Sequence, residues 1–334
     1  MDSLYRGATP AAVGPGATAT TPPVHGDPST PDPDRPSWGV FGAIGLWLMS
    51  LFLVLFVPIL FLIPYASMRG IPFRPGEPDY WPTVGQFAMS DKGAVLVQVL
   101  ALLPIHIVTF LLVWAVVTRF GKQSFKAALG WGWPRSVRPS VGLGLCILVG
   151  AFMFGIGIVI AKLLGADTPT QMEQIVKSSY AARVALAALA VGTAPIVEEL
   201  IYRGVLYAAL RRGVGTFCRS IFGIFSIELD PRTSERVGVV GAVILVLALF
   251  TAIHVPQYWP NLGVIAAVGL LSFVLTVVRA YTGRLLPCIV IHLVFNGIQA
   301  VILLVEPYAQ RFLPPVPAPP DPAAIILPLI GLFT

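Results

Sequence analysis

The chain has 334 residues, of which 56% are hydrophobic and only 11% charged, against about 25% charged in an ordinary soluble domain. Its mean hydropathy of +0.82 leaves more apolar side chains than a water-facing surface could hide, which excludes a soluble globular enzyme and makes lipid the solvent for most of the protein. The formal charge is +6, but the basic residues are spread through connecting segments with no basic run interleaved with aromatics, so a nucleic-acid partner is excluded. The charge reads as a topology signal and as attraction to anionic lipid heads.

Residues 1–37 are rich in Pro, Ala, Gly, Thr and Asp and almost devoid of large apolar side chains. That composition cannot repay the entropy of folding, so a disordered tail is predicted. No basic segment, short apolar core and small-residue cleavage site opens the chain, so the first hydrophobic stretch is expected to be a retained span. Charge-free runs long enough to cross about 30 Å of hydrocarbon follow at 38–63, 93–118, 139–161, 237–253, 262–278 and 285–305. A seventh, fourth in order, lies at 183–211 and differs from the rest because its Ala-rich run contains Glu198, Glu199 and Arg203. Beyond residue 311 comes a Pro-rich piece and a final apolar tail too short to span dependably, which suits the interface.

The predicted fold is an all-α polytopic transmembrane bundle of about seven spans, eight if the last tail crosses. It divides into the tail 1–37, N-terminal helices 38–178, a helical core 179–306 and a terminal segment 307–334. With seven spans, 14 of the 22 Lys and Arg fall on the side of the N terminus and seven on the other, Arg203 being within a span. By the positive-inside rule the N terminus is cytoplasmic. Cys146, Cys218 and Cys288 stand far apart with no C-x-x-C pair, which indicates neither a disulfide framework nor a thiolate zinc site.

An ionised carboxylate in a bilayer core is costly, so the Glu198-Glu199 pair needs a reason. On a helix, Glu199 and Arg203 at i, i+4 share a face while Glu198 points about 100° away. Glu199 can thus be neutralised by Arg203 as a structural ion pair, which leaves Glu198 to face something else. Pro195, one turn earlier, is expected to kink the helix. His106, alone among ionisable groups in its span, reads as a satisfied helix histidine. His254 closes the fifth span one turn after Phe250, and His292 and Asn296 lie at i, i+4 in the last. Two intramembrane histidines, an Asn and an unpaired Glu together point to a site.

Glu198-Glu199-x-x-x-Arg203, Phe250-x-x-x-His254 and His292-x-x-x-Asn296, in that order on three hydrophobic helices, resemble the three motifs of the CPBP family. That family comprises type II CAAX prenyl endopeptidases and bacteriocin-processing or immunity proteins of bacteria. The resemblance covers about residues 180–305. It implies peptide-bond hydrolysis within the bacterial plasma membrane, on a membrane-embedded or lipidated peptide or protein, with membrane lipids as the other partner. By analogy Glu198 is the general base assisted by His254, His292 and Asn296 donate to the oxyanion, and Glu199, Arg203 and Phe250 support the site.

Family members are often labelled metalloproteases, and Glu198, His254 and His292 form a conceivable zinc set. The chain has no H-E-x-x-H, and a metal-free glutamate mechanism without a cofactor is favoured. Cys288, one turn before His292, is read as an apolar filler in preference to a thiol nucleophile. A non-catalytic immunity or regulatory protein is the alternative function, and a transporter with carboxylate ion sites a third.

Two points resist this picture. With straight helices His254 sits at one end of its span and His292 roughly 13 Å inside the opposite end of its own, so the two should not meet. An inward fold of residues 255–261, with two prolines and no charges, would bring them together. The charge count also puts that connection outside, whereas CAAX processing is cytoplasmic.

Overall fold

The computed structural model describes residues 31–165 and 170–309. The expectations for the first 30 residues and for the Pro-rich and apolar tail beyond 309 lie outside the described residues. Among those described there is no strand. Seven helical spans are long and apolar enough to cross a membrane: α1 (Val40–Met68), α3 (Lys92–Thr118), α5 (Pro139–Leu164), a composite fourth span (Tyr180–Ile224), α10 (Pro231–Tyr258), α11 (Leu262–Thr282) and α12 (Leu286–Ala309). Short helices α2 (Tyr80–Ser90), α4 (Phe125–Leu129) and α6 (Gln171–Ser178) occupy three of the connections. The spans reach mean hydropathies of 1.8–2.8, yet between half and five-sixths of the residues in those windows are not buried, since buried shares run from 50% down to 17%. Apolar surface of that extent, such as Phe52, Leu55, Leu148 and Phe152, is stable only against lipid. The protein is an integral membrane helix bundle.

Local sequence sets the ends of these helices. Asp91 Oδ1 accepts from Ala94 N–H at 2.9 Å and opens α3, and Asp230 Oδ2 accepts from Thr233 N–H at 3.1 Å and opens α10; each satisfies a donor that the first turn leaves free. Pro139 and Pro231 stand in first turns, where no helical bond is lost. Pro58, Pro64, Pro104 and Pro256 lie within spans, as is tolerated where neighbouring groups satisfy the freed backbone.

The fourth span is not one helix. It runs as α7 (Tyr180–Gly192), α8 (Ala194–Glu199), a π-helical turn (Leu200–Leu206) and α9 (Tyr207–Ile224). The kink expected from Pro195 is instead a break: Thr193, at φ −126° and ψ −38°, ends α7, and Pro195 falls in the first turn of α8. Residues 199–210 are all buried, so this span is the hub of the bundle.

Glycine permits two of the contacts around it. A Cβ on Gly150 of α5 would lie 2.8 Å from the Val294 side chain and 2.9 Å from the Ile291 carbonyl of α12, and one on Gly238 of α10 would lie 2.3 Å from the Arg211 carbonyl of α9. These small residues serve packing within the chain.

Residues 31–38, assigned by composition to the tail and the start of the first span, are engaged with the bundle. Asp34 pairs with Arg211 at 3.0 Å and with Arg279 at 3.1 Å, and Arg279 also donates to the Pro33 carbonyl at 3.3 Å. Trp38 Nε1 donates to the carbonyl of Val205 at 3.1 Å, in the π-helical turn. Composition missed this because the stretch is held by ion pairs to residues distant in the chain together with the burial of Pro36 and Trp38. Arg279 has a fully buried side chain, so Asp34→Ala strands a guanidinium and is expected to cost about 1–3 kcal/mol. Thermal unfolding in detergent checks this, with Asp34→Glu as the control; an unchanged midpoint for Asp34→Ala would refute the anchoring role.

Candidate active site

The site begins with the i, i+4 pair on the fourth span. Arg203 Nη1 donates to Glu199 Oε1 at 2.9 Å, and both side chains are fully buried. The rest of the guanidinium is held by α11: Nε donates to Thr276 Oγ1 at 3.2 Å, and Nη2 to the carbonyl and hydroxyl of Ser272, each at 2.9 Å. One face of the guanidinium lies 4.7 Å from the centre of the Phe250 ring, a cation–π contact strengthened by desolvation. A buried ion pair is tolerable only where further hydrogen bonds offset its desolvation; the guanidinium has them, whereas Glu199 Oε2 is buried without a hydrogen-bond partner.

Glu199 Oε1 also receives Nδ1 of His292 at 2.9 Å. This orients the imidazole and turns its Nε2 toward Glu198, whose Oε2 stands 3.8 Å away. Glu198 therefore faces elsewhere than Glu199, as helix geometry predicted, and its side chain is 27% exposed. His254 Nδ1 is 2.7 Å from the Phe250 carbonyl. Since a carbonyl can only accept, the proton of the neutral ring is on Nδ1, and Nε2 is a free acceptor. Asn296 donates one amide N–H to the Ala190 carbonyl at 2.9 Å and keeps the other.

Glu198, His254, His292 and Asn296 all line one cavity of about 480 Å³, with Phe250 in its wall. That volume is in the range of small-ligand sites. The expected inward fold of 255–261 is not what joins the histidines. Helix α10 runs on through Pro256 to Tyr258, so His254 lies a turn inside its helix. The Phe250 ring neighbours both imidazoles, with centroids 4.5 Å from His254 and 6.2 Å from His292. It also meets Tyr202 edge-on at 5.0 Å. Phe250, 1% exposed, thus packs against Arg203 and both histidines. Phe250→Ala should destabilise by about 3–5 kcal/mol, readable as a lowered unfolding midpoint in detergent; a shift within error would remove Phe250 from the scaffold.

Some cavity residues escape motif reasoning. His106 has its expected partner, Thr193 Oγ1 at 2.7 Å, yet it lines the cavity too, brought there from α3 with no signal in its own span. Tyr258 stacks on His254 with centroids 6.4 Å apart and planes 6° from parallel; its i, i+4 spacing was a readable cue. Cys288 is buried, with Sγ 3.3 Å from the Leu275 carbonyl, and is not among the cavity residues, in keeping with a filler role. Among the described residues, no three His, Cys, Asp or Glu side chains form a group that could hold a metal ion.

The fold and this centre define an integral membrane protein with a carboxylate–histidine cavity enclosed by its spans. The family model described as Rce1-like, type II CAAX prenyl endopeptidase Rce1-like, matches residues 180–298. That match takes in all three motifs, and the chain carries a domain of this family, within the CPBP group, on its last four spans. No curated protein and no solved structure matches the chain. The domain is of the CAAX-protease type, an intramembrane endopeptidase in its general activity, with membrane-associated substrates.

Proposed function

We propose that the protein hydrolyses peptide bonds by a glutamate-activated water, with Glu198 as general base. The observation that carries this reading is the division of labour between adjacent carboxylates. Glu199 is locked to Arg203 and His292, whereas Glu198 opens on the cavity beside His292 Nε2.

In this reading a water between Glu198 and His254 gives its proton to Glu198 as its oxygen attacks the scissile carbonyl carbon. The lone pair on His254 Nε2 accepts the water's other hydrogen bond and fixes its direction. The developing oxyanion is met by the free N–H of Asn296 and by His292. His292 donates from Nε2 only as an imidazolium, because its Nδ1 proton is given to Glu199. On collapse, the proton on Glu198 passes to the leaving amine and the C–N bond breaks.

The testing experiment is cleavage of a membrane-peptide library by the detergent-purified protein, with and without a strong zinc chelator. Cleavage is expected to survive chelation. Loss on chelation with recovery on adding zinc would overturn the metal-free mechanism, and no cleavage by well-folded protein would count against the hydrolase.

A further inference from the structure

The cavity has a closed end and an open one. At the end of the bundle where α1 begins it is sealed by the buried run 199–210, over which Trp38, Leu129 and Leu285 pack, each less than a tenth exposed. The Asp34 pairs to Arg211 and Arg279 close the same end. Toward the other end its walls include Gln257 and Tyr258 in the last turn of α10, Val264 in the first turn of α11, and Met172 on α6 in the connection between the third and fourth spans. Of all the lining side chains only Val54, Leu55 and Pro256 are exposed. The mouth therefore lies between the middle of α1, about 20 Å along from its start, and the last turn of α10. Its rim is apolar on the α1 side and carries the neutral amide of Gln257 on the α10 side.

Seven spans give each end an assignment. Helices α3 and α9 finish, and α5, α10 and α12 begin, at the sealed end, and among the described residues it holds 13 Lys and Arg against six at the open end. The connection between α10 and α11, beside the mouth, has none. Twofold excess of basic residues in short connections is what retains a side in the cytoplasm. A prenylated C terminus made in the cytoplasm would meet the sealed end.

Resting on the hydrolase reading, we propose that the substrate is a membrane-anchored polypeptide whose scissile segment enters from the non-cytoplasmic surface. It slides past Leu55 from the outer leaflet, its uncharged backbone pairing with the amides of Gln257, Asn296 and Gln299, which all face the cavity. Among the described residues Glu198 is the one carboxylate lining that space, so an acidic segment is disfavoured beside the base.

The test labels cysteines in intact cells with a membrane-impermeant maleimide. Gln257→Cys, on the cavity wall, and Trp259→Cys, in the adjoining connection, should react from outside. Native Cys218 on α9 should react only after the membrane is opened, and buried Cys146 and Cys288 should stay silent. In parallel, a library of single-span peptides is displayed with tails on either face, and outward tails should be cut in a Glu198-dependent way. Reaction of Gln257→Cys only in inverted vesicles, or cutting confined to inward tails, would overturn the inference and leave the hydrolase intact. Outside labelling with no Glu198-dependent cutting of either library would overturn the hydrolase reading, and the inference with it.

Discussion

Glu198→Gln is expected to lower peptide hydrolysis by about three orders of magnitude or more while leaving the thermal unfolding midpoint in place, since a positioned general base contributes about 10²–10⁴-fold. The two readouts separate because Glu198 is outside the buried network. Its nearest polar partner is His292 Nε2 at 3.8 Å, beyond hydrogen-bonding range, and its side chain is 27% exposed to the cavity. Gln keeps the volume and loses only the basic oxygen. Steady-state cleavage of an identified peptide, with the unfolding midpoint measured on the same sample, decides it. Hydrolysis by Glu198→Gln at the wild-type rate would remove Glu198 as the base; a fall in activity matched by a fall in stability would assign it a structural part instead.

Arg203→Met should be the most destabilising single change in the site. It removes four hydrogen bonds and leaves Glu199 as an uncompensated charge with a fully buried side chain, a situation that costs about 3–5 kcal/mol. Lysine should not rescue it, because one ammonium cannot reproduce the planar fork that spans Glu199, Thr276 and Ser272. The double variant Glu199→Gln, Arg203→Met removes both charges and should recover much of the loss, since a buried pair replaced by apolar groups is often close to neutral. Unfolding midpoints of the four proteins complete a cycle. Equal destabilisation in the single and double variants would show that the charge is not what Arg203 compensates. Activity of the double variant should remain low, because His292 loses the carboxylate that orients it.

Much of the fold was legible without coordinates. Each of the seven hydrophobic runs became a span, since a 20-residue apolar run has few alternatives in lipid. The Glu199–Arg203 pairing was legible because it is local: four residues on a helix set the distance whatever surrounds it, and the pair persists even though Arg203 itself lies in a π-helical turn. The break at Thr193 was not, because Pro195 could either kink a continuous helix or open a new one, and only packing around residues 199–210 selects the second. Asp34 was read as tail because its partners, Arg211 and Arg279, are 177 and 245 residues away and composition carries no information on such pairs.

What the sequence by itself determined is therefore whatever depends on spacing along one helix or on the solvent: seven spans, the excess of basic residues at one end, the three i, i+4 pairs and the separation of Glu198 from Glu199. Tertiary structure alone decided which groups on different helices share a space. It put Nδ1 of His292 on Glu199, set the Phe250 ring against Arg203 and both histidines, brought His106 in from α3 and sealed the cavity at one end. Those contacts depend on tilts, breaks and close approaches between helices, which are fixed by how whole surfaces fit together and leave no mark in the spacing of any one run.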